Sequence, residues 1–169
     1  MLTKDAIQRL FTGGERSIGG TVYGTIVALA TLTAGAAAGQ HPSQLLFLVA
    51  TTSGAIWVAH VYSHGLGESI ERGHRLDRAE FSSLAGKELP ILLAAAAPTA
   101  TLVLGAVGLV EESTDIAIAF CVGLAALAVQ GLRYARVERL GRLGMAAIVA
   151  ANLALGLLVV ALKVVVNHH

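Results

Sequence analysis

Charge is what this 169-residue sequence has least of: Asp, Glu, Lys and Arg make up 14% of it, against 55% hydrophobic residues. A soluble domain carries roughly a quarter charged residues because its surface must face water. The shortfall excludes a disordered tail and argues against an ordinary water-soluble enzyme, and a mean hydropathy of +0.71 points to a polytopic membrane protein. Cysteine is reduced to Cys121, which excludes disulfide scaffolds and cysteine-based zinc sites. With 3 prolines the chain is no collagen-like repeat. It also lacks a Gly-rich phosphate loop and any nucleophile placed beside a base, so no reaction can be assigned residues and no enzymatic activity is expected. A net charge of +1 is uninformative as a total; nucleic acid is not among the expected partners.

What the sequence has instead is long apolar runs. A span needs about 20 apolar residues to cross roughly 30 Å of hydrocarbon, and residues 18–39, 44–66, 89–110, 115–132 and 143–166 qualify. The whole chain, 1–169, is then one all-α membrane domain of five transmembrane helices. The run at 18–39 follows Lys4, Arg9 and Arg16 as a signal peptide would, but it is longer than a signal core and more spans follow, so it reads as a retained first helix. Ahead of it, Leu2, Ala6, Ile7, Leu10 and Phe11 repeat at helical spacing opposite Lys4, Asp5, Gln8 and Arg9. Residues 1–17 therefore predict an amphipathic helix lying in the inner interface.

Charge placement gives the orientation, because Lys and Arg near span ends are retained in the cytoplasm. With five spans, all 12 basic residues except Lys163 fall on one side: Lys4, Arg9 and Arg16 before the first span, Arg72, Arg75, Arg78 and Lys87 after the second, and Arg133, Arg136, Arg139 and Arg142 after the fourth. The N-terminus is expected in the cytoplasm and the C-terminus outside, in a plasma (inner) membrane. Of the 11 acidic residues, only Glu111, Glu112 and Asp115 lie on the outer side. The arginines from Arg133 to Arg142 recur every third residue as in a voltage sensor, but the fourth span is filled before they begin, so they are expected to bind anionic lipid headgroups. The His168-His169 terminus is expected to be inert.

No Asp, Glu, Lys or Arg lies at the centre of a span, which argues against a pump built on a midplane carboxylate. The hydroxyls of Thr25, Thr31 and Thr33, with Gln130 and Asn152, are expected to hold helices together. Gly20 and Gly24, Gly35 and Gly39, and Ala147 and Ala151 are spaced for close helix packing within or between protomers, so a homo-oligomer or a membrane partner subunit is expected. Pro98 should kink the third span, with Thr99 or Thr101 available to the freed carbonyl.

The second span stands apart. At about 100° per residue, Ser53, Trp57, His60, His64, Glu71, Arg75 and Arg78 share an arc of about 60° if the helix runs on past Gly65 and Gly67 into the charged cytoplasmic segment 67–88. Imidazoles at i and i+4 can share a divalent cation, Glu68 and Glu71 follow one or two turns on, and Glu71 to His74 has the Glu-x-x-His spacing of helices that bind iron or manganese. His60, His64, Glu68, Glu71 and His74 are thus the candidate metal ligands. The competing interpretation makes Trp57, His60 and Tyr62 headgroup anchors and the charged residues ordinary i, i+4 pairs on a solvated extension.

The sequence resembles the vacuolar iron transporter family of divalent-cation carriers. The resemblance rests on Gly19-Gly20-Thr21-Val22-Tyr23-Gly24, on Ala59-His60-Val61-Tyr62-Ser63, on Glu68, Glu71 and Glu80, and on the proline-bearing third span. It implies five spans with a cytoplasmic N-terminus and a divalent metal ion collected by cytoplasmic glutamates. The family's first-span Asp-Gly pair is replaced here by Val22-Tyr23-Gly24, and its second-span Met is missing. The functional expectation is cation transport, of a divalent metal or a proton, through the His/Glu face of the second span. The alternative is a non-catalytic accessory or structural subunit of a membrane complex.

Overall fold

The structure is a computed structural model that describes residues 15–167, with side chains over 18–161. The amphipathic helix expected before residue 15 and the terminal histidines lie outside the described residues. Within them the chain is all-helical: α1 (Glu15–Ala37), α2 (Pro42–Arg72), α3 (Arg78–Ala94), α4 (Ala96–Ala106), α5 (Glu112–Val137) and α6 (Arg142–Asn167). By length and composition α1, α2, α5 and α6 can each cross a membrane, and α3 with α4 make a fifth span if that bent pair is counted as one.

Helix ends follow local chemistry. α1 stops where Gly39 takes the left-handed conformation at φ 70°, its N–H donating to Ala36 O while Gln40 N–H donates to Gly35 O. These two bonds satisfy the last carbonyls of the helix. Pro42 opens α2 at a position where its missing N–H costs nothing, and His41 N–H donates to the Gln44 side chain. α2 then runs through Gly65 and Gly67 but ends at Arg72, because Gly73 turns left-handed at φ 70°. Asp77 starts α3: its Oδ1 accepts from Glu80 N–H at 2.8 Å, and Glu80 Oε2 accepts from Asp77 N–H at 2.9 Å. The third helix therefore begins at Arg78 rather than at 89, and the expected cytoplasmic extension is divided between the end of α2 and the start of α3.

α1 is the central element, packed against α2, α3, α5 and α6. In lipid the tails are as apolar as leucine, so helices associate through close contact and not by escaping water. Glycines supply that contact. A Cβ on Gly24 would stand 2.3 Å from Ile91 O, and one on Gly20 would stand 3.3 Å from Ile91 Cγ1, so α1 lies directly on the backbone of α3. Leu29 fills the notch at Gly123 of α5, and Leu127 fills that at Gly156 of α6. Gly39 has a different job from the one its spacing suggests: it caps α1, and a Cβ there would touch nothing within 4 Å.

The pair α3–α4 is bent by 45° at Ala95, three residues before Pro98. Pro98 has no N–H to offer Ala94 O. Thr99 Oγ1 donates to Ala95 O at 2.5 Å and Thr101 Oγ1 to Pro98 O at 2.7 Å, so the hydroxyls cap neighbouring carbonyls instead of the freed one. Thr25, Thr31 and Thr33 likewise donate to carbonyls four residues back in their own helix and do not bridge helices. Interhelical bonding falls to other residues: Asn152 Nδ2 donates to Leu127 O at 3.3 Å, tying α6 to α5. Trp57 Nε1 donates to Ala85 O at 3.3 Å, tying α2 to α3 where a headgroup anchor was one expectation.

Candidate functional site

At the end of the bundle where α2 gives way to α3, the helices α1, α2 and α3 enclose a cleft of about 610 Å³. Its width comes from places where side chains are missing. Gly19 of α1 and Gly67 of α2 line it, and a Cβ on either would meet nothing within 4 Å. The contact of Gly20 and Gly24 with Ile91 brings α3 against α1 below, which closes the bottom of the cleft.

The i, i+4 spacing of α2 places His60 and His64 on this wall, with Glu68 and Glu71 further along it. α1 contributes Tyr23, whose ring centroid is 5.0 Å from that of His60; the His60 and His64 centroids are 5.6 Å apart with their planes at 76°. Three rings from two helices thus form one continuous aromatic wall. α3 contributes Glu88, whose Oε1 accepts a 2.7 Å bond from His64 Nδ1. In the neutral ring this fixes the proton on Nδ1 and leaves the lone pair on Nε2. Glu88 is the more sheltered partner, 15% exposed against 56% for His64. Lys87 is the lysine of the lining, which also holds the carboxylates Glu68, Glu71 and Glu88.

The remaining candidates are arranged differently from their sequence spacing. Arg72 joins Glu68 on its own helix to Glu80 on α3, at 2.5 and 2.6 Å. Glu68 therefore lines the cleft as half of an ion pair. His74 does not share the face of His60 and His64: α2 has ended, and His74 Nδ1 donates to Arg75 O at 3.0 Å in the turn. Arg75 and Arg78 leave the arc for the same reason, since Gly73 reverses the chain and Arg78 begins α3. Glu-x-x-His presents two ligands to one metal only on a continuous helix, and here Gly73 interrupts it. Among the described residues, no group of three or more His, Cys, Asp or Glu side chains is placed to hold a metal ion.

Two residues at or near this chemistry are missing from the sequence expectation. Glu88 was placed in a solvated segment, and the signal that would have moved it into a helix is the Asp-x-x-Glu box at Asp77 to Glu80. Tyr23 carries no signal beyond its place in a Gly-rich stretch. At the opposite end, Asp115 is fully buried in the first turns of α5, against Gly105 of α4, where a Cβ would come within 2.3 Å of its Oδ2. Comparison of the chain with family models, with curated proteins and with solved structures finds no match.

Proposed function

We propose that this chain is an integral membrane protein that admits a cation to the cleft between α1, α2 and α3, with His60 and His64 coordinating or relaying it and Glu68 and Glu71 drawing it to the mouth. The observation that carries this reading is that one concave site gathers both imidazoles and three carboxylates, Glu68, Glu71 and Glu88, on three helices. Ionisable residues on a span are costly in lipid and are retained where they serve an ion path. The family resemblance favours a divalent metal, and the imidazole pair suits a proton. Arg72, Arg75, Arg78 and Lys87 gather at the cleft end, and by the positive-inside rule this supports a cytoplasmic cleft and N-terminus at a plasma (inner) membrane.

The test is flux in proteoliposomes carrying the full chain, with a zinc-sensitive or a pH-sensitive dye enclosed. Replacing both His60 and His64 by Ala should abolish flux while leaving the melting temperature within a few degrees. Undiminished flux in that variant would sink the reading. An accessory-subunit role finds its support in α6, only 6% of whose apolar stretch is buried. That face suits a partner helix or a second copy, and a chain silent in flux that co-purifies stoichiometrically with one membrane protein would favour this second reading.

A further inference from the structure

The cleft has the shape and lining of a site for something larger than an ion. At about 610 Å³ it falls in the range of pockets that bury whole small molecules, roughly 300 to 1,000 Å³. A desolvated divalent metal needs about four ligands converging within roughly 2.3 Å, and the donors here are already committed: Nδ1 of His64 to Glu88, and Glu68 to Arg72. No third donor joins the two imidazoles among the described residues. An organic cation asks for a different lining, namely ring faces, apolar floor and a carboxylate at the rim. The ring face of a tyrosine attracts an ammonium group within about 6 Å of its centroid, and Tyr23 offers one, with His60 and His64 beside it in the same wall. Leu84 and Ile91, both buried, back the lining with apolar side chains, and Gly67 leaves the width. Glu71, exposed and in no ion pair among the described residues, supplies the charge, and with Glu68 and Glu88 it outnumbers Lys87, the cationic residue of the same lining.

We infer that the cleft binds an organic ammonium ion, seated against the ring of Tyr23 with its charge toward Glu71. This rests on the reading of the cleft as a cation site and names the class of cation. Glu88 keeps His64 turned edge-on to His60, which makes it a positioning residue for the aromatic wall.

The experiment titrates the full chain in detergent with tetraethylammonium, and separately with zinc chloride, following the melting temperature and the emission of the single tryptophan, Trp57, one helical turn from His60. Ligands that bind only the folded state raise the melting temperature in proportion to occupancy. Tetraethylammonium is expected to stabilise the protein. Tyr23→Leu should weaken its binding at least tenfold, Tyr23→Phe should retain it, and Gly67→Leu, which fills open space on a helix without backbone strain, should abolish it in a folded protein. Stabilisation by zinc alone, lost when His60 and His64 become Ala, would overturn the organic class and keep the cation site. No response to tetraethylammonium would overturn the inference whatever zinc does, and would leave the cation reading to the flux assay. Equal stabilisation of wild type, Tyr23→Leu and Gly67→Leu by tetraethylammonium would also overturn the inference, since the cleft would then be irrelevant to binding.

Discussion

Two histidines of α2 and its cap meet glutamates from other helices, one at each end of the bundle. His41 Nδ1 stands 2.9 Å from Glu112 Oε1, where α2 and α5 begin, and both side chains are open, at 67% and 58% exposure. His64 Nδ1 stands 2.7 Å from Glu88 Oε1, and Glu88 is sheltered at 15%. The chemistry is the same and the surroundings are not. The first pair fastens two helix starts on an open surface, while the second stands in the wall of a cleft beside Tyr23 and His60. A His–Glu contact acquires functional meaning from concavity and neighbours, and both are set here by glycines elsewhere in the chain.

The comparison can be broken first at those glycines. Gly24→Ala drives a methyl group into the Ile91 carbonyl, backbone that cannot step aside, and should cost about 3 kcal/mol and disturb the cleft. Gly35→Ala, toward the His41 end, meets the side-chain ends of Leu45, Gln40 and Leu48 and no backbone, so although Leu45 is buried the clash can be shared among side chains, and it should cost about 1 to 2 kcal/mol. Melting curves of the two variants in one detergent measure the difference, and equal losses would remove the distinction between backbone and side-chain contact.

Double-mutant cycles sharpen the comparison directly. Replacing His64 and Glu88 by Ala, singly and together, should give a coupling of about 1 kcal/mol, and the same cycle at His41 and Glu112 should stay below about 0.5 kcal/mol. Coupling as large at the open pair would show that shelter is not what separates them.

A last expected effect, of similar or smaller size, concerns two helix ends. Gly39 closes α1 in the left-handed region, and Arg139 closes α5 there at φ 52°, with Leu140 N–H donating to Ala135 O as Gln40 N–H does to Gly35 O. A residue with a Cβ is strained in that conformation by roughly 1 kcal/mol. Arg139→Gly should therefore stabilise by up to about 1 kcal/mol in thermal or denaturant melts; a loss would mean that the Arg139 side chain offsets its own strain.

The helical class and the positions of the apolar runs were legible because hydropathy over about 20 residues is a coarse quantity that single contacts do not alter. So were His60 and His64, since helical periodicity alone puts them on one wall. Legibility failed where one residue decides a boundary. Gly73 ends α2 and removes His74, Arg75 and Arg78 from the face, although Gly65 and Gly67, no different in sequence, let the same helix pass. Asp77 starts α3 early and turns Glu88 from a solvated residue into a helical one. Threonine hydroxyls were expected between helices, but the carbonyl four residues back is always within reach and competes successfully. The pairing of Tyr23 with His60 joins positions on separate helices, and no local pattern encodes it.

The break at Ala95 has a mechanical consequence. α3 leans on α1 and α2 and carries Glu88, whereas α4 leans on α2 and α5 and covers Asp115. Half-helices with different neighbours need not move as one lever. Each half answers to its own neighbours: the packing of α3 on α1 sets the wall that carries Glu88, and the packing of α4 on α5 sets the seat of Asp115 beneath Gly105.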